Sequence, residues 1–240
     1  MNSMKRSKLF LTAAVALLLS CGAFAQAPAA KAAPSPEAQA KADADVEKKA
    51  SEWVASLTLN DAAKEARVKD VISTHLKAVR DWNNSHTADE VPAGIDPFSG
   101  KPLSAMDRQI IVLSSIPKSV HENLMTGLRK DLTEPQVEAI LDKYTIGKVA
   151  FTLNGYKSIV PDLTPTEEAA ILANLKQARE QAVDFKNAKQ ISAIFEIYKT
   201  KNEQYLNEHG RNWHQLFSNY VNAVKAKKAA AAAGGDVKKN

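Results

Sequence analysis

The same helix-opening signature occurs twice in the chain, as Asp131-Leu132-Thr133-Glu134-Pro135-Gln136 and as Asp162-Leu163-Thr164-Pro165-Thr166-Glu167. In each copy a threonine is placed as N-cap, a proline sits in the first turn, and an amide or acid lies three residues after the cap. Leu57-Thr58-Leu59-Asn60-Asp61 is a fainter third copy, with Asn60 and Asp61 as cap candidates. Apolar residues recur at helical spacing behind these starts. One stripe is Val68, Ile72, His75, Leu76, Val79 and Trp82; another is Val120, Leu124, Met125 and Leu128. A third is Ile171, Leu172, Leu175, Ala178 and Ala182, and a fourth is Ile191, Ile194, Phe195, Tyr198, Tyr205 and Leu206. Met106 to Ser115 reads as a further buried helix that Pro117 stops. The pattern predicts a mainly α, single-domain helical bundle.

One segment departs from that pattern. Val149 to Leu153 alternates, Asn154-Gly155 follows, and Tyr156 to Val160 is again apolar. Asn-Gly between two short apolar runs is a strong hairpin signal. A short extended or hairpin segment is therefore expected near 148–160, with an irregular connector as the alternative. The turn-rich stretch from Asn83 to Ser104 reads as an insertion in which only Asp96 and Lys101 look chemically useful.

The formal charge of +5 invites a nucleic-acid partner, but its placement argues against one. From Ser51 to Val224 there are 20 Lys and Arg against 22 Asp and Glu. The surplus lies in Lys5, Arg6 and Lys8 and in Lys225, Lys227, Lys228, Lys238 and Lys239, outside the expected fold. Residues 1–25 read as an export signal, with a basic start and an apolar run from Leu9 to Leu19 that is too short to span a bilayer. Two processing readings stand. Ala23-Phe24-Ala25 before Gln26 fits ordinary signal cleavage, while Leu18-Leu19-Ser20-Cys21 resembles a lipobox with Cys21 as the lipidated residue, although Leu19 suits it poorly. The expected location is periplasmic or extracellular, or on the outer membrane through a lipid anchor. Residues 26–50, rich in Ala and Pro, read as a disordered tether. The helical domain then spans 51–224, and 225–240 is a disordered Lys/Ala tail or a frayed extension of the last helix.

No catalytic, cofactor or metal motif is present: there is no HExxH, Gly-rich phosphate loop or serine elbow. His209 and His214 lie five apart and do not share a helical face, and Glu167-Glu168 opens a helix, where it complements the macrodipole. His75 reads as a hydrogen-bonded core residue. Cys21 is the single cysteine, so a mature domain carries no thiol nucleophile and no disulfide. Two polar residues, Arg179 and Asn202, fall on core-facing positions, where they must be paired. With Tyr156, Tyr198, Tyr205 and Lys199, flanked by Lys201, they make the mixture of aromatic faces and planar polar groups that recognises sugars. The competing reading makes the tyrosines core residues and Arg179 half of a structural ion pair with an acid from another helix.

Four blocks carry a resemblance: Thr145, Gly147 and Val149; Tyr156, Pro161, Leu163 and Thr164; Ala178, Arg179, Glu180, Ala182 and Asp184; and Phe195, Tyr198, Lys199, Lys201, Tyr205 and Leu206. The early Leu57, Leu59 and Asp61 with Ala62 to Val68 add to them. Together they resemble the bacterial family named domain of unknown function 3826, described loosely as sugar-binding. The resemblance implies an exported helical protein. Two stretches depart from the family pattern, the longer loop from Asn83 to Ser104 and Phe185-Lys186-Asn187-Ala188 in place of a glycine/serine turn. The expected function is non-catalytic carbohydrate binding in the cell envelope. The alternative is a periplasmic helical chaperone of the Spy type or a structural interaction protein.

Overall fold

The computed structural model describes residues 34–97 and 99–236. Nine α-helices and no strand occur among the described residues, so the mainly α bundle is observed. The helices are α1 Pro36–Ala55, α2 Ala62–Ser85, α3 Ala105–Leu113, α4 Lys118–Asp131, α5 Glu134–Tyr144, α6 Lys148–Ile159, α7 Pro165–Ala182, α8 Ala188–Glu208 and α9 Trp213–Asp236. None is long and apolar enough to cross a membrane.

The repeated signature opens α5 and α7 as its chemistry requires. Glu167 accepts from the Thr164 amide at 2.8 Å while Thr164 Oγ1 accepts from the Glu167 amide at 3.2 Å. The Gln136 side chain accepts from the Thr133 amide at 3.0 Å. Asp61 caps α2 by accepting from Lys64 N at 3.0 Å. Each cap satisfies amides that a helix start leaves without an intrahelical partner.

The expected hairpin near 148–160 is replaced by α6. Its buried residues, Val149, Thr152 and Tyr156, are spaced three and four apart, so the segment buries a helical face and not alternate positions. A β-carbon at Gly155 would meet nothing within 4 Å, so this glycine serves no close approach. The positive φ needed to turn from α5 into α6 falls at Ile146 and Gly147, at 57° and 65°.

The expected tether over 26–50 is corrected from residue 36 onward. Ser35 caps α1, whose Ala50 and Val54 are buried against α2. Glu47 on α1 reaches Lys77 at 2.6 Å and Lys69 at 3.0 Å, and Asp43 reaches Arg80 at 2.6 Å. Ala50 and Val54 join an apolar cluster with Trp53 packed against it, and the ion pairs hold the earlier turns, which lack the large side chains whose absence suggested disorder. At the other end α9 continues through the alanine run to Asp236, the helical extension held as the alternative to a disordered tail, and residues 237–240 lie outside the described residues. The export signal, Cys21 and residues 26–33 lie outside the described residues.

Two apolar clusters organise the bundle. One joins α1, α2, α4 and α5 around Ile72, Leu124, Leu128 and Ile140. The other joins α3, α6, α7 and α8 around Ile171, Leu175, Phe195 and Leu206, with Trp213 of α9 packed against it. Polar contacts lie between them, where α7 and the turn that follows it meet α2, α4 and α5. Among the described residues of the loop from 86 to 104 there are a 3₁₀ turn, Ala88–Glu90, and a pairing of Ile95 with Pro102.

Candidate functional site

α6, α8 and α9 enclose a groove of about 590 Å³. α6 contributes Phe151 and Tyr156, and α9 contributes Trp213, Phe217 and Tyr220. The start of α9 is fixed by Asn207 Oδ1, which accepts from the Trp213 amide at 2.9 Å. The Trp213 ring then lies 5.3 Å from Tyr156 and 6.0 Å from Phe217, forming a continuous aromatic wall. Phe151 is 76 % exposed and Phe217 47 %, so neither ring is spent on the core. Polar groups edge the wall: Asn154 of α6, and Glu196, Lys199 and Glu203 of α8. Lys199 Nζ donates to Glu196 at 2.7 Å. Partial burial raises the Glu203 carboxyl above its usual value, with Glu196 adding to the rise against the opposing charge of Lys199. The Tyr156 hydroxyl donates to the Lys199 carbonyl at 3.1 Å, and burial pushes its phenol upward, so it remains a neutral donor.

The six residues expected to form one sugar site are dispersed. Tyr156 and Lys199 line the aromatic groove. Arg179 is buried against α5, where its guanidinium donates to Asp142 at 2.8 Å and lies 3.5 Å from Glu138 Oε1. It adopts the structural ion pair held open as the alternative. Asn202 is fully buried and its Oδ1 accepts from Asn174 at 2.7 Å. Tyr205 is half-buried and packs against His209 with ring centroids 4.1 Å apart and the planes tilted by 33°. Tyr198 turns to a different cleft.

That second cleft, of about 530 Å³, lies between α4, α7 and α8 and is bordered by Lys118, His121, Glu122, Glu180, Asp184 and Tyr198. Asp184 stands in the turn after α7 and joins two histidines: Oδ1 lies 2.9 Å from His75 Nε2 and Oδ2 lies 3.0 Å from His121 Nδ1. His121 Nε2 is 3.7 Å from Glu180 Oε1. Burial opposes ionisation of Asp184, but the two imidazole hydrogen bonds outweigh it and hold the carboxyl below its usual value. Asp184 in turn raises His121, with help from Glu180 and against the effect of burial. His75 is a hydrogen-bonded core residue, as its place in the α2 stripe suggests. Among the described residues no group of three or more His, Cys, Asp or Glu could hold a metal ion.

Sequence reasoning missed Phe151, Trp213 and Phe217. Their signal was nonetheless present. Phe151 falls off the buried face set by Val149, Thr152 and Tyr156, and Trp213 and Phe217 stand one helical turn apart. The link between His121 and Asp184, 63 residues apart, left no local trace.

No curated protein matches the chain. A family model described as protein of unknown function (DUF3826) matches residues 43–226, more than half of the chain, and its start at residue 43 falls within α1. The protein belongs to the DUF3826 family.

Proposed function

We propose that the protein binds a neutral carbohydrate in the groove between α6, α8 and α9. The observation that carries this reading is the aromatic wall of Phe151, Tyr156, Trp213 and Phe217, edged by Asn154 and Glu203. Aromatic faces pack against the C–H faces of sugar rings, while planar amides and carboxylates meet the hydroxyls; such a mixture in a concave site favours a polyhydroxylated ligand over a purely apolar one. Exposed aromatic rings grouped on one surface are uncommon without a binding role. The export signal read in residues 1–25 supports a place of action in the cell envelope or outside the cell, with Cys21 as the anchor point if it is lipidated.

A thermal-shift screen of residues 26–240 against neutral mono- and oligosaccharides tests the reading, with suppression of aggregation of an unfolded client assayed beside it. A saturable rise in Tm for one sugar class supports the groove, because a ligand that binds only the folded state stabilises it. No shift with any sugar, together with suppression of client aggregation, would favour the chaperone alternative.

A further inference from the structure

The cleft between α4, α7 and α8 holds a constellation that sugar binding does not use. The His75 side chain is 1 % exposed, and its Nδ1 has no hydrogen-bond partner among the described residues. A proton on Nδ1 would be a buried donor without an acceptor, so His75 is assigned as the neutral tautomer that donates from Nε2 to Asp184. Asp184 then accepts one hydrogen bond on each oxygen, the second from Nδ1 of His121. This fixes His121 with its lone pair on Nε2. Its side chain is 25 % exposed, and it shares the cleft with the carboxylate of Glu180. A carboxylate that orients an imidazole whose other nitrogen meets a cavity is the arrangement general-base catalysis requires.

We propose that His121 is the general base of a hydrolytic site for neutral acyl esters. A water in the cleft gives a proton to His121 Nε2 as its oxygen bonds to the acyl carbon. The carbonyl π electrons move onto oxygen, and this oxyanion is met by Lys118 and the positive N-terminal end of α4, where the third amide, Val120, is already bonded to the Pro117 carbonyl and the first two, Lys118 and Ser119, are left to receive it. Collapse of the adduct breaks the bond from the acyl carbon to the leaving oxygen. The imidazolium returns its proton to that oxygen, releasing an alcohol and a carboxylic acid and restoring neutral His121. Asp184 is a positioning residue that stabilises the imidazolium, and His75 positions Asp184. Three carboxylates, Glu122, Glu180 and Asp184, face one ammonium, Lys118, which disfavours anionic phosphate esters and favours an uncharged ester.

The test is hydrolysis of p-nitrophenyl acetate from pH 5 to 9. His121→Asn keeps an amide donor for Asp184 and removes the base. It should lower kcat/KM on the order of 100-fold, the lower end of general-base contributions. His214→Asn, at an exposed position on α9, should leave the rate unchanged. The wild-type rate should rise with pH through one ionisation above 6.5, the ordinary histidine value, because the neutral imidazole is the active form. Asp184→Asn should move that inflection to lower pH. Equal rates for wild type and His121→Asn, or an inflection that does not move in Asp184→Asn, would overturn the proposal. Should His121→Asn not fold, Lys118→Met at an exposed position carries the test, with a loss of roughly tenfold in kcat expected and an unchanged kcat contradicting it.

Discussion

Arg179 lies nearly buried on α7, held by Asp142 and Glu138 of α5, both of which stay partly open to solvent. Its removal leaves those acids hydrated, so the loss falls below that of a fully buried broken pair. Arg179→Ala should destabilise the fold by about 2–3 kcal/mol in urea unfolding, with sugar affinity in the α6–α8–α9 groove unchanged. Asp184 and His121 set a pH dependence of opposite sign at its two ends. His121 is raised in the folded state, so its contribution is complete below pH 6.5 and fades as pH climbs through the raised value. Asp184 is lowered, so its contribution is present above pH 3.8 and fades as pH falls through the lowered value. The urea midpoint should therefore be highest between these limits, and His121→Asn should abolish the decline on the alkaline side. Helical spacing alone placed Arg179 and His75 on core-facing stripes. Their acidic partners come from α5 and from the turn after α7, and such pairings exist only once the helices have packed.

At the scale of elements, helix starts were legible because a cap, a proline and a reciprocal acid or amide act within one turn. The identity of α6 was not. Asn154-Gly155 is a local hairpin signal, but the face made by Val149, Thr152 and Tyr156 is buried against the rest of the bundle, and that burial prevails over the turn preference. Gly155→Ala should accordingly stabilise the protein by about 0.5–1 kcal/mol, since an added β-carbon there meets open space. A hairpin turn with positive φ at glycine would give the reverse sign, and thermal unfolding of the variant distinguishes the two. Gly127 makes the complementary case. A β-carbon there would lie 2.7 Å from Val71 Cγ2, so the glycine permits the close approach of α4 to α2. Gly127→Ala should destabilise by about 1–3 kcal/mol, and adding Val71→Ala should recover part of the loss. α1 escaped the sequence reading over 36–50 because that part meets α2 through Ala50 and through Glu47 and Asp43 paired with basic residues, and such contacts make no apolar stripe.

At the scale of the molecule, two apolar cores meet where Val183 after α7 enters the first and Trp82 of α2 packs on the second, with polar contacts beside them, and α9 adds one wall to the second core and so completes the aromatic groove. The sequence brings tyrosines and planar polar groups forward as one site, and the fold disperses them. Tyr156 and Tyr198 lie on helices that present them to different clefts, while Arg179 and Asn202 are spent on pairing helices together. Trp213 and Phe217 escaped notice because their helix opens beyond the last strong stripe. The most direct measurement of the carbohydrate reading is calorimetric titration of wild type and Phe151→Ala/Phe217→Ala with the sugar class that raises Tm. Both rings are exposed, so the double variant should keep the wild-type Tm in the absence of ligand. Wild type should bind saturably and the variant at least tenfold more weakly, a loss of about 1.4 kcal/mol or more. Equal affinity in the two proteins, or no binding of any neutral sugar to wild type, would contradict it.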